Sequence, residues 1–209
     1  MGFSLTPGKA KSGALDYEKK EEYYIYKAAT YKLSDELYDC DPEGFYQFLK
    51  ILKLRADAFG WIDAKGICMI PIKKGSKDIK NLLEDYGLLS LDRVREHAAT
   101  FYEKDSRSGQ DDRMLFECLF ASLTTEGTTK LNVHEKQYTI KSGSSPVVSN
   151  LSGICLLKIL IRESHLDSNA TTGMIRNKLS NLDTVLMQNG NDVLKFNRQV
   201  QMLLDALNA

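Results

Sequence analysis

The residues best suited by type to do chemistry stand in a short polar string, Glu163, His165 and Asp167, directly after an apolar run. Two carboxylates flanking an imidazole are the material of a metal site or of an acid/base pair. Their spacing argues against both roles. Steps of two residues turn successive groups to different sides of a helix, and Asp167 is also a natural cap for a helix that follows it. The string therefore reads as a cap and a solvated surface. His134-Glu135 opens like the zinc-protease motif H-E-x-x-H, in which histidines one helical turn apart hold the metal. Tyr138 occupies the place of the second histidine, and a single ligand holds no catalytic zinc. Glu96-His97 reads as a solvated helix face.

Two further motifs dissolve on inspection. Gly8-Lys9 fails as a phosphate-binding loop, because Gly2 stands one residue too far away and Ala10 replaces the Mg-binding hydroxyl. Gly2 and Thr6 match the bare myristoylation pattern, but the bulky Phe3 beside the acceptor glycine marks a chance match. There is no G-x-S-x-G elbow, dinucleotide glycine fingerprint or Cys/His knuckle spacing. The expectation is of no catalytic, cofactor-binding or metal-ligating residue, and of a chain that binds itself or a partner rather than an enzyme.

Composition narrows the class. The chain has 209 residues, of which 43% are hydrophobic, enough for a substantial core. Lys+Arg and Asp+Glu both total 28, so the net charge is zero, and no basic block announces a nucleic-acid surface. Any RNA binding is expected to be weak, local or encoded elsewhere. Cys40, Cys68, Cys118 and Cys155 stand far apart among apolar neighbours, as reduced intracellular thiols do. No apolar run approaches the roughly 18 residues of a membrane span, and the N-terminus lacks a signal peptide's apolar region. A soluble, cytoplasmic protein is expected.

The elements that must position these residues are mainly helices. Ile175, Leu179, Leu182 and Leu186 form one stripe, and Val193, Phe196, Val200, Leu203 and Leu207 another. Between them Gly190 and Asn191 supply a helix stop and an N-cap, which predicts an antiparallel helical hairpin. The run Ile154 to Ile161, apolar except at Lys158, predicts a central helix against which that hairpin closes. Ser145 and Pro146 would start it, leaving Gly153 inside as a small residue that admits a close neighbour. Earlier, Asp41-Pro42 opens a helix with Phe45, Phe48, Leu49, Leu52, Ala56 and Phe59 on one face, ended by Gly60. Trp61 follows as a packing anchor.

Gly66 to Ile72 is a candidate edge strand, Lys77 to Gly87 a helical signal, and Ser90 the cap of another helix. The stretch from Glu103 to Gly109 reads as a linker, and Asp111 to Leu123 as a helix with Met114, Leu115, Cys118 and Leu119 inward. Leu131 to Ile140 reads as a strand or extended arm. From Tyr17 to Tyr38 tyrosines alternate with lysines and glutamates; the acidic residues would repel phosphate, so half-buried rings with wet hydroxyls are expected rather than a base-stacking surface. The resulting fold class is all-α, a multi-helix bundle with a C-terminal hairpin and one or two short edge strands. Its expected division is a flexible tail over 1–16, a helical region over 17–104 and a helical core over 105–209.

The string RESHLDSNATT, Arg162 to Thr172, together with the stripes that follow it and the Met114-Leu115-Phe116 to Ser122-Leu123 segment, resembles the Gag capsid region of copia-type LTR retrotransposons, in the version carried by microalgal genomes. Tyr86 to Arg95 and Arg55 to Trp61 also resemble that version. The family pattern places its central helix over Val147 to Arg162, a long helix over Arg176 to Leu186 and a last helix from Val193 to Leu207. The resemblance implies a capsid subunit that forms a homo-oligomer, assembling intracellular virus-like particles around element RNA. A host-retained adaptor or RNA-transport protein derived from such a capsid is the alternative, and a metal-dependent enzyme using Glu163, His165 and Asp167 a remote one. Family polyproteins continue into a second capsid subdomain, a zinc knuckle and a protease. Here neither a knuckle nor a D-[ST]-G triplet precedes Ala209, as expected of a fragment, a truncated copy or a host-retained remnant.

Overall fold

The computed structural model describes residues 13–102, 107–142, 148–164 and 168–207. In chain order come α1 (Lys20–Thr30), α2 (Phe45–Ala58), β1 (Met69–Pro71), β2 (Ile79–Asn81), α3 (Leu91–Ala99), α4 (Arg107–Ala121), α5 (Thr125–Asn132) and α6 (Glu135–Tyr138). They are followed by β3 (Thr139–Ser142), β4 (Val148–Leu151), α7 (Gly153–Ser164), α8 (Ser168–Ser180), α9 (Leu182–Gln188) and α10 (Val193–Leu207). The chain is mostly helical, with two separate two-stranded antiparallel ribbons, β1–β2 and β3–β4.

α7 is the enclosed element. Ile154, Cys155, Leu156, Leu157, Ile159 and Leu160 are fully buried. A helix apolar on every side has to be surrounded, and α4 runs along it while α3, α5 and α6 close the rest. Lys158 escapes by donating to the Tyr86 carbonyl at 2.7 Å. The continuous core reaches from Leu15 to Ile161 and takes in Phe45, Trp61, Met114 and Leu131.

Burying the start of α7 raises a difficulty, since the first N–H groups of a helix have no intrahelical acceptor. Asp112, itself fully buried in α4, meets them: its Oδ1 accepts from the Ile154 N–H at 2.8 Å. Its Oδ2 accepts from the Tyr102 hydroxyl at 2.7 Å, and Gly153 and Ser152 also donate to it. The approach is possible only because residue 153 has no side chain. A Cβ there would stand 2.4 Å from the Asp112 carbonyl oxygen and 2.5 Å from the Phe116 nitrogen.

α1 is held by a second, half-buried polar arrangement. The Arg55 guanidinium on α2 donates to the carbonyls of Ala28, Ala29 and Tyr31 at 2.8, 3.0 and 2.9 Å, capping the C-terminal end of α1. Helix C-termini carry partial negative charge, which a guanidinium complements. α8 to α10 bury Ile175, Val185 and Leu203 among themselves and against α2. Ion pairs Lys178–Glu43 and Arg198–Glu36, the latter at 2.7 Å, join them to the segment around Glu36 to Glu43.

Several expectations change. The C-terminal hairpin does not close on α7; its amphipathic helices pack on one another and on α2, while α7 needs cover on all sides and takes it from α3 to α6. α7 begins at Gly153, not near Ser145 or Val147, because Val148–Leu151 pair with β3. Gly153 consequently sits at the helix start, where its lack of a side chain does admit close backbone. The Lys77 to Gly87 segment is β2 and a 3-10 turn at Tyr86–Leu88, since Ile79–Asn81 pair with β1. Leu131 to Ile140 is mostly helical and becomes strand only at Thr139. α4 already starts at Arg107, inside the expected linker, and the other residues of that linker, 103–106, lie outside the described residues. The stripe from Ile175 to Leu186 is broken at Asn181 into α8 and α9, and Asp192, rather than Asn191, caps α10 through the N–H groups of Leu194 and Lys195 at 2.9 and 3.2 Å.

Gly153→Ala should therefore cost about 3 kcal/mol, because the methyl meets backbone that cannot turn aside. That corresponds to a thermal midpoint lowered by roughly 6–12 °C in a chain of this size. Gly87→Ala, with nothing within 4 Å of the added Cβ, serves as the control and should leave calorimetric melting unchanged.

Candidate functional site

Glu163 proves to be part of a cluster, with partners that the sequence does not place beside it. Its Oε1 lies 3.2 Å from His134 Nε2 and accepts from Arg162 Nε and a terminal nitrogen at 3.2 and 3.1 Å. Arg162 also donates to Gln137 Oε1 at 3.2 Å, and Gln137 Nε2 lies 3.3 Å from His134 Nδ1. These residues fasten the C-terminal end of α7 to the α5–α6 junction. His165 and Asp167 lie outside the described residues. Among the described residues no group of three or more His, Cys, Asp or Glu side chains is placed to hold a metal ion. His134 precedes a helix of only four residues, and Tyr138, in the place of a second histidine, is buried with its hydroxyl on Asn132 Oδ1 at 3.3 Å.

The remaining reactive groups are withdrawn from solvent. All four cysteines are free and buried. Burial pushes the thiols of Cys40 and Cys155 up to about 12 and that of Cys118 to about 11, so none is a thiolate nucleophile at neutral pH. His97 is not the solvated group expected from its neighbour Glu96. It packs edge-on against Phe101 at 4.9 Å between ring centroids, and burial lowers its pKa to about 4.

Two concavities flank the β3–β4 ribbon. A shallow groove of about 1060 Å³ between α3, α6 and β3 is lined by Asp92, Arg95, Glu96, Glu135, Lys136 and Lys141. Its charges alternate in sign, so it presents no concentrated field to an ionic ligand. A smaller pocket of about 220 Å³ lies on the β4 side.

No family model, curated protein or solved structure matches the chain. What the molecule does is therefore argued from its own surfaces.

Those surfaces are of two kinds. α1 turns Tyr23 and Tyr24 outward, and Tyr17 and Tyr31 beside it are exposed too, more open than the expected half-buried rings. Lys27 lies over Tyr23 at 5.5 Å and Lys20 over Tyr24 at 6.0 Å from the ring centroids. Tyr26 instead gives its hydroxyl to Glu117, and Tyr38 is buried against Phe48 with its hydroxyl 2.8 Å from Ser164 Oγ. The second surface is the turn between α9 and α10, where Met187, Val193 and Leu194 are 73%, 61% and 82% exposed. No described helix is long and apolar enough to cross a membrane.

Sequence reasoning passed over Asp112 and Arg55. Asp112 had left a signal: it falls on the same helical stripe as Leu115 and Leu119, where a carboxylate is out of place unless it meets a buried donor. Arg55 left none, because its acceptors are main-chain carbonyls over twenty residues away.

Burial raises the Asp112 carboxyl from 3.8 to about 6, against the opposing pull of the donors from Ile154, Tyr102, Ser152 and Gly153. The fold thus favours its protonated form, so its contribution is full below about 3.8 and is lost as the pH rises through about 6. Wild type should gain stability relative to Asp112→Asn as the pH falls from about 7 to about 4, by up to roughly 3 kcal/mol. Urea denaturation of both proteins at the two pH values measures the difference, in which the contribution of His97 cancels.

Proposed function

We propose that this chain is a structural, Gag-like capsid subunit that self-assembles in the cytoplasm into particles packaging retrotransposon RNA. The sequence correspondence from Arg162 to Thr172 and the helical stripes beyond it motivate the reading, and a mostly helical fold is compatible with it. The observation that carries it is the outward apolar set on the C-terminal helices. Met187, Val193 and Leu194 flank a tight turn in which Gly190 and Asn191 both take left-handed backbone, at φ +63° and +62°. Large apolar side chains exposed on both sides of one turn, where the Asp192 carboxylate is held by the Leu194 and Lys195 N–H groups, offer apolar area of the kind that interfaces bury. The proposal is one of association rather than turnover: the described cysteines are buried and the Glu163 carboxylate is engaged by Arg162 and His134.

The chain has no net charge, so phosphate contacts must come from local groups such as Lys20 and Lys27 on the tyrosine face of α1. Phosphate contacts release counterions and make binding fall steeply with salt, whereas apolar association does not.

Electron microscopy and sedimentation of the purified chain, with and without RNA, test the proposal. Wild type should sediment as large particles. Met187→Glu/Leu194→Glu should remain monomeric with an unchanged helical circular dichroism spectrum, since two unpaired carboxylates would have to be desolvated in the apolar contact. A wild-type chain that stays strictly monomeric at high concentration with RNA present overturns the reading.

A further inference from the structure

The register of the β3–β4 ribbon shows which main-chain groups of β4 take no part in its ladder. The Ser152 N–H donates to the Tyr138 carbonyl at 2.9 Å. Hydrogen-bonded and non-bonded pairs alternate along an antiparallel ladder, so the next bonded pair is Ile140 with Asn150. The N–H and C=O groups of Ser149 and Leu151 accordingly point away from β3. The Tyr102 hydroxyl, 3.4 Å from the Leu151 carbonyl, marks that side. Ser149 and Leu151 also line the pocket of about 220 Å³, together with Tyr102, Arg113, Phe116 and Glu117. Among the described residues no strand pairs with this edge of β4, which opens onto a formed concavity.

The pocket wall has a distinct chemistry. Phe116, stacked on Phe120 at 5.1 Å, and Tyr102 give it apolar faces. Glu117 adds a carboxylate, which accepts from the Tyr26 hydroxyl and from Arg113 Nε at 3.3 Å. The Arg113 side chain is 74% exposed, so this ion pair sits in solvent, contributes little and exchanges readily for another cation.

We propose that the outer edge of β4 binds an extended peptide as a third strand, and that the peptide sets a lysine into the pocket, its methylenes against Phe116 and Tyr102 and its ammonium on Glu117. Unpaired strand groups are complemented by another strand, which repeats donors and acceptors at matching intervals. A helix or a nucleic acid does not. Aromatic faces beside a carboxylate suit a long aliphatic stem ending in a cation. The site is independent of the assembly reading, which rests on the turn between α9 and α10.

The probe is a fluorescein-labelled peptide, acetyl-Thr-Val-Lys-Val-Thr-amide, titrated into the full chain with fluorescence anisotropy as readout. Saturable binding is expected. Ser149→Pro removes one outward N–H while leaving the ladder to β3 intact, and should weaken binding by about tenfold or more. Glu117→Gln should weaken the lysine peptide and leave the same peptide with glutamine in place of lysine unaffected. A peptide N-methylated at alternate amides should not bind wild type, and this arm decides the matter if Ser149→Pro fails to fold. Absence of saturable binding to wild type, or equal binding of the N-methylated peptide, overturns the proposal. Dimerisation lost in Ser149→Pro without any peptide binding also overturns it, placing a second copy of the chain on the edge.

Discussion

A helix that begins inside the core constrains everything around it. α7 is apolar on all sides, so it cannot lie at a surface, and its first N–H groups cannot reach water. One buried carboxylate resolves this, and the resolution recruits three elements at once. α4 supplies Asp112, the turn after α3 supplies the Tyr102 hydroxyl, and the strand end at Leu151 and Ser152 delivers the chain to Gly153. The charge is expensive to bury alone, and leaving any of these donors unmatched would add the cost of an orphaned polar group. That coupling fixes the positions of α3, α4 and the β3–β4 ribbon relative to α7 more strictly than apolar contact does, because apolar contact tolerates sliding.

The periphery is governed by a different use of charge. Arg55 is compensated by the carbonyl oxygens that end α1 and lies beside Cys118. The Glu163 cluster is of the same kind, a carboxylate shared between a guanidinium and an imidazole at the other end of α7. Both clamp helix termini, where main-chain groups are left over. Glu163 and His134, which look chemically able in the sequence, are fasteners in the fold.

Local pattern made part of this legible. The stripes of α2, α3 and α4 and the enclosed character of α7 follow from apolar spacing, whereas in the α10 stripe Leu203 is buried and Val193 is 61% exposed; Ser90 caps α3 as its residue type predicts, accepting from the Arg93 N–H at 3.2 Å. What failed depends on partners distant in sequence. Ile79–Asn81 carries a helical pattern and is strand because β1 lies beside it. Val148–Leu151 reads as the start of α7 and is strand because β3 lies beside it. His134 and Glu163 belong to separate strings in the sequence, and only the packing of α6 on α7 unites them. Periodicity encodes which face is buried, but not which element covers it, so it does not show that the hairpin seats on α2 rather than on α7.

That seat has a consequence for where association can act. The described core is one body from Leu15 to Ile161, whereas Ile175, Val185 and Leu203 stand outside it in a smaller contact set. The helices bearing them are tied to the rest partly by the ion pair Arg198–Glu36, whose side chains are 53% and 72% exposed. Exposed pairs of this sort contribute about 0–1 kcal/mol, far less than the burial that encloses α7. The larger buried core thus lies around α7, and α8 to α10 carry outward apolar side chains outside it. Their surface can be altered, or engaged by a partner, at little expense to the core, which is the arrangement an association surface requires.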